Sequence, residues 1–395
     1  MTPLEARQRA ERLADRFRAR AAEYDRTASF PAADVEDIRT ESLLGLMVPT
    51  RLGGVGCGFE DYVEVGTALA RGSGATALVF NMHAAVTGAL AGVPEDLVRA
   101  LGAGDEFFAV RDRILDGAVE GALYGVAISE WEAGSRLSEV RTYYEPEGEA
   151  YRLRGEKSVC SGAGYLDGYL VAARARETGG PEPSVSYFMV SPGLGVKVKD
   201  TWDPLGMRAT ASNAVVLDVA VPRECLLTGV EGLAVPLAYA MPQWLVTSYA
   251  AVYVGIAQAA LSEAVTYLKQ RQAGGRTTPA SVRARVARAQ AATDAALLVV
   301  RQAARLADAS PGDSETNRWL YQAKLVAGDA AMEVAATLSE ACGLGALGRG
   351  SALERIFRDA RCGAIMPPRS DICADYLGSA ALGLDPMTAM DEPPW

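Results

Sequence analysis

The chain is short of the residues that bind metals and run imidazole chemistry. There is one histidine, His83, in 395 residues. The six cysteines, Cys57, Cys160, Cys225, Cys342, Cys362 and Cys373, are scattered, and none forms a CxxC pair. A zinc site of Cys/His spacing and a Cys–His nucleophile pair are therefore not expected. Free thiols in a reducing cytoplasm fit better than a disulfide framework. Positive charge is also in deficit. Lys plus Arg is 39 against 49 for Asp plus Glu, a net charge of −10. Such a balance makes neither nucleic acid nor an anionic membrane an expected partner. Long hydrophobic runs are missing too. No uninterrupted apolar stretch approaches the ~20 residues of a membrane span. The opening stretch, "MTPLEARQRAERLADRFRAR", is charged throughout and lacks the apolar centre of a signal peptide.

What remains reads as three segments. Over residues 1–122 the periodicity is helical, with Leu4, Ala10, Leu13 and Phe17 on one face of the first helix. A second helix is expected to open at Pro31 and close before Pro49, and "FEDYVEVGTALARGSGATALVFNMHAAVTGAL" reads as two more. Over 123–232 the texture changes to short alternating or apolar runs: "LYGVAIS", "YRLRGEKSVCSG", "GYLVAARAR", "SVSYFMVSP", "GVKVKD" and "NAVVLDVAVP". These are strands of a barrel or sandwich, with a polar loop at 177–183. Over 233–395 the helical period returns. One long apolar helix carries Pro242 near its start, and a second opens at Pro279. A third has Ser314 as N-cap and Gly343 as its stop, and "GSALERIFRDARCGAI" is a fourth. The expected class is α+β: a helical domain, a β domain and a four-helix bundle.

Six stretches in this order carry a resemblance. "AISEWEAGS", "LRGEKSVCSGAG", "WDPLGMRATASNAVVLDVAVP", "VYVGIAQAALSEAVTYLKQR", "AKLVAGDAAMEVAATLSEACG" and "LERIFRDAR" are together similar to the acyl-CoA dehydrogenase superfamily. The resemblance implies FAD, with FMN or loosely held reduced flavin as alternatives, and a homodimer or homotetramer. It places Ile128 and Ser129 at the flavin ring, Gly134 and Ser135 at the cofactor phosphates, and Val159 and Ser161 on the neighbouring strand. It places Arg271, with Gly343 near the last helices, at the pyrophosphate of a flavin bound to a second subunit. The phenylalanine that the resemblance leads one to expect after Arg271 is Gly274. Glu340 puts a charge where a dinucleotide phosphate would be repelled.

The pattern breaks where the family keeps its catalytic carboxylate. The usual Tyr-Glu-Gly-Thr turn is Met366-Pro367-Pro368-Arg369 here, so the glutamate position is a proline. The alternative position, on the first bundle helix, is Leu245, followed by Val246. A thioester dehydrogenase needs a base within reach of the substrate's α carbon. The replacements to weigh are Asp371, Tyr249, Tyr253, His83 and Glu130. Asp371 also suits a helix N-cap, the tyrosines and His83 suit core packing, and Glu130 is expected to point away from the flavin. The first expectation is oxidation of the CH–CH bond of an acyl thioester, on CoA or a carrier protein, with a relocated base. The alternatives are a flavin monooxygenase on the same fold, using reduced flavin and O₂, and an inactive binding scaffold.

Overall fold

The computed structural model describes residues 1–177 and 184–392. The loop expected at 177–183 lies, from 178 onward, outside the described residues. The N-terminal part holds six helices: α1 (Pro3–Thr27), α2 (Ala32–Thr40), α3 (Phe59–Gly72), α4 (Gly74–Gly92), α5 (Glu95–Ala100) and α6 (Asp105–Val119). Helix α1 opens with a capping box in which the Thr2 hydroxyl accepts from Glu5 N, and Thr2 N donates to the Glu5 carboxylate. Its buried face is Ala6, Ala10, Leu13 and Phe17; Leu4, expected on that face, is exposed. Helix α2 stops at Thr40 rather than running toward Pro49. Leu43, Leu44, Leu46, Met47 and Val48 are all buried, and no single helix stripe can bury five such neighbours. The chain turns at Ser42, in the left-handed region, and continues as short 3₁₀ turns.

Seven strands follow: β1 (Tyr124–Ala127), β2 (Tyr143–Glu147), β3 (Ala150–Cys160), β4 (Gly168–Ala175), β5 (Val185–Val190), β6 (Val196–Lys199) and β7 (Asn213–Pro222). They form one sheet in the order β1-β4-β2-β3-β7-β6, with β5 also on β4. Strand β2 escapes sequence reading because it is short and contains Pro146, which argues against a strand. The β3–β7 register slips between Lys157 and Cys160. Such an irregularity re-aims side chains: Lys157 and Ser158 are buried, and Val159 is turned out to 37% exposure.

The C-terminal part comprises α7 (Ala234–Ala240), α8 (Ser248–Ala273), α9 (Ala280–Ala309), α10 (Ser314–Cys342), α11 (Ala352–Arg361), α12 (Ser370–Ala381) and α13 (Pro386–Ala389). The single long helix expected from residue 233 is thus two. Pro242 has no N–H to continue it and starts a 3₁₀ turn instead. That break places Leu245 and Val246 between helices. Asp313, not Ser314, is the N-cap of α10, and Gly343 ends it at φ 77°. The fourth bundle helix, α11, is only a 10-residue segment. Helices α4 and α8 lie in segments long and apolar enough to cross a bilayer, Gly74–Gly92 and Pro242–Ala273, contrary to the reading of uninterrupted runs. Their windows are 89% and 83% buried inside the protein, so packing already uses that surface.

Helix α3 packs onto α8, and Gly255 permits it. A Cβ there would sit 2.5 Å from the Ala70 Cβ. The end of α9 fixes the start of α3, because Asp308 accepts from Phe59 N at 2.7 Å and Glu60 N at 2.8 Å. This is an N-cap supplied from another helix. Asp308→Ala is expected to cost about 1–2 kcal/mol, read as a lower urea midpoint at unchanged slope, with Asp308→Asn costing less.

Candidate active site

The loop after β1 is held by a buried ion pair. Lys157 Nζ donates to Glu130 Oε1 at 2.7 Å and to the Ile128 carbonyl at 3.1 Å. The other Glu130 contacts are backbone N–H groups, Arg141 at 2.7 Å and Thr142 at 2.9 Å. Burial pushes the Glu130 carboxyl up, but Lys157 and Thr142 outweigh it and hold it below the usual range. Burial draws the Lys157 ammonium down, and Glu130 opposes that. Ser158 N donates to the Ser129 carbonyl at 2.8 Å. Glu130 and Gly134 exchange backbone bonds at 2.8 and 2.9 Å, a tight turn that needs the left-handed φ of 60° at Gly134. Residues 128–135 are therefore pinned from both sides.

This loop forms one wall of a crevice of about 330 Å³. Trp131, Gly134, Ser135 and Arg136 face Ile365, Pro367, Pro368 and Arg369. Trp131 is 65% exposed and Ile365 54%, unusual for side chains of that size. A Cβ at Gly134 would meet open space. Two arginines and two glutamates, Arg136, Arg369, Glu132 and Glu392, also line it. Arg136 pairs with Glu139, and Arg369 pairs with Asp371 and Glu392. Flat apolar walls, a small-residue turn and guanidinium groups suit a planar heterocycle with an anionic tail. The residues present fit a flavin.

A second, apolar cavity of about 70 Å³ lies between α4, the sheet and the α7–α8 break. Val126 of β1, Tyr187 of β5, Thr228, Trp244 and Leu245 are among its walls. Among the described residues no charged side chain lines it. Val126 and Leu245 also pack in the cluster that contains Ile128, Val246 and Ile372, and Ile372 lines the crevice. One apolar cluster thus borders both spaces.

The structure brings Ile128, Ser129, Gly134 and Ser135 together on the loop and sets Val159 beside it. Ser161 is buried, with its hydroxyl 2.9 Å from that of Ser212. Arg271 and Gly343 are neighbours of each other, since Arg271 Nη1 donates to the Cys342 carbonyl at 3.2 Å. Neither lines the crevice or the cavity described above. Glu340 is ion-paired with Arg285 at the surface.

None of the replacement bases lines either space. Asp371 is not an N-cap; that position is Arg369, whose guanidinium binds the carboxylate at 3.1 Å and keeps its pKa low. His83 is buried with both nitrogens in use: Nε2 is 2.8 Å from the Leu44 carbonyl and Nδ1 accepts from Tyr124 N at 3.1 Å. Burial lowers its pKa to about 4. Tyr249 and Tyr253 are core residues; burial pushes Tyr249 up to about 12 and Tyr253 well above its ordinary value. Glu130 points to Lys157. The positions that do reach the two spaces are Pro367, in the crevice, and Leu245, in the cavity. Sequence reading missed Lys157, Trp131, Trp244 and Tyr187, because nothing local marks which way they face.

Three family descriptions match in order: acyl-CoA dehydrogenase N-terminal domain over 4–96, middle domain over 125–220 and C-terminal domain over 247–380. The amino sugar nitrososynthase DnmZ of Streptomyces peucetius is 30% identical over 398 residues, covering 94% of this chain and 92% of its own. KijD3, solved with FMN and a dTDP-linked amino keto sugar, superposes at TM-score 0.85 with 27% identity, over 96% of this chain and 94% of that one. TdsC from Paenibacillus sp. A11-2, solved with FMN and indole, gives TM-score 0.82 and 25% identity over 96% and 97%. With its three-part architecture and its loop-and-crevice geometry, the chain belongs to the acyl-CoA dehydrogenase family of flavin-dependent enzymes.

Proposed function

We propose that the protein is a flavin-dependent monooxygenase rather than a thioester dehydrogenase. One observation carries this. The two positions where the family resemblance puts a catalytic carboxylate both reach the site, and both are apolar, Pro367 and Leu245. Asp371, Glu130 and His83 are each committed elsewhere, and among the described residues the carboxylates that line the crevice, Glu132 and Glu392, are ion-paired with Arg141 and Arg369. Oxygen transfer to a heteroatom needs no such base. The nitrososynthase relative supports the same reading. Nothing about the crevice favours an inactive scaffold.

When bound, reduced flavin supplies the electrons that activate O₂. The chain's part is to hold and shield. Trp131, Ile365, Pro367 and Pro368 would sandwich the ring, and Gly134 and Ser135 would admit the ribityl phosphate; the family resemblance adds Ile128 and Ser129, just before the lining, at the ring's polar edge. Arg136 and Arg369 are the guanidinium groups placed for a phosphate. Val126, Leu245 and Ile372 would keep water from the reacting face. Both arginines are ion-paired with carboxylates, which the single phosphate of FMN would have to displace. A dinucleotide would need Arg271 and Gly343 of a second copy in a homodimer or homotetramer. The apolar walls suit a small molecule better than a carrier-bound thioester.

The test is anaerobic. Butyryl-CoA or octanoyl-CoA mixed with the oxidised flavin complex should leave the flavin absorbance unchanged. Reduced FMN with isotopically labelled O₂ should then put label into a probe sulfide such as thioanisole, or into an aromatic amine. Bleaching by a thioester would restore the dehydrogenase reading.

A further inference from the structure

We propose that the apolar cavity is the substrate chamber, and that it admits a compact, uncharged molecule whose one polar group is held by the Tyr187 hydroxyl. Naming the ligand a substrate rests on the monooxygenase reading; the binding site itself does not. Three observations support it. First, the cavity shares Val126 and Leu245 with the apolar cluster that also reaches Ile372 of the crevice, so a single packed layer connects it to the proposed flavin position. Second, its described lining carries no charge. An ionised ligand would lose its hydration there and gain no counter-ion.

Third, Tyr187 lines the cavity, and its hydroxyl is buried without a hydrogen-bond partner. Buried hydroxyls are almost always bonded, so an orphan in a cavity wall marks a place for a ligand atom. The cavity's other hydroxyl, Thr228, is already committed, donating to the Val230 carbonyl at 2.5 Å and accepting from Val230 N at 3.3 Å. Burial raises the Tyr187 pKa, so at neutral pH the phenol remains a donor as well as an acceptor. The space of about 70 Å³ is several times what one water needs and about half that of an apolar cavity that takes up benzene, so only a compact ligand enters without displacing side chains.

Calorimetric titration of the full chain, with oxidised flavin and no reductant, tests this without turnover. Phenol, toluene and benzoate are matched in size and differ in polarity and charge. Phenol is expected to bind about fivefold more tightly than toluene, the worth of one hydrogen bond, and benzoate not measurably. Tyr187→Phe should drop phenol to or below toluene, because its hydroxyl is then buried without a partner, and Val86→Trp, which fills the cavity, should remove both. Equal affinity of phenol and toluene for the wild type would overturn the assignment. So would a phenol preference that survives Tyr187→Phe, or benzoate binding as well as phenol. If Tyr187→Phe does not fold, the wild-type preference and its loss in Val86→Trp decide. Failure of labelled-oxygen transfer with this binding pattern intact would count against the monooxygenase reading alone.

Discussion

The Lys157→Met variant is expected to lose about 3–5 kcal/mol of stability and, with it, tight flavin binding. The ammonium is fully buried and faces Glu130 at 2.7 Å. Removing it leaves a carboxylate in the interior with two backbone donors and no counter-ion. Glu130 must then take up a proton or pull the 129–135 loop toward water, and that loop is one wall of the crevice. The pair itself need not be a net gain. Removing both charges, in Lys157→Met with Glu130→Gln, should therefore recover most of the loss. Urea midpoints of the two single variants and the double variant measure the coupling. Quenching of flavin fluorescence reports the loop. A Lys157→Met midpoint within ~0.5 kcal/mol of wild type would show that the pair does not hold the loop.

The second large effect is an acid-labile histidine. His83 is the only histidine, so its imidazole signals are unambiguous by NMR. They should stay at neutral-ring positions as pH falls well below 6.5, since burial lowers the pKa to about 4. The sign follows from linkage. The unfolded chain binds this proton near pH 6.5 and the folded chain does not until about pH 4, so stability is lost as pH falls through that window. The full contribution is roughly 3 kcal/mol. Two buried carboxyls act oppositely. Asp359, raised to about 6 chiefly by burial, and Asp34, also raised by burial, bind protons more readily when folded and favour the folded state as pH falls. The difference between wild type and His83→Gln isolates the term, because the carboxyl groups titrate alike in both and only the wild type carries the histidine's loss. Parallel profiles, or an imidazole that protonates near 6.5, would show that the ring is not sealed in the core.

By itself, the sequence determined the helix–strand–helix order, the identity of the loop at Ala127–Ser135 and the missing carboxylates. Periodicity, turn residues and the chemistry at a position are local properties, and they survive without a structure. The tertiary structure decided where side chains point. "RGEKSVC" reads as an ordinary half-exposed strand, yet a register slip against β7 sends Lys157 inward and Val159 outward. "AVPLAYAMPQWLVTSY" reads as one helix, yet Pro242 breaks it and brings Trp244 and Leu245 into a cavity wall. Tyr187 is an unremarked strand residue until β4, α7 and the segment after β7 close around its hydroxyl. Burial and the sharing of hydrogen bonds depend on partners distant in sequence, and only the packed chain assigns them.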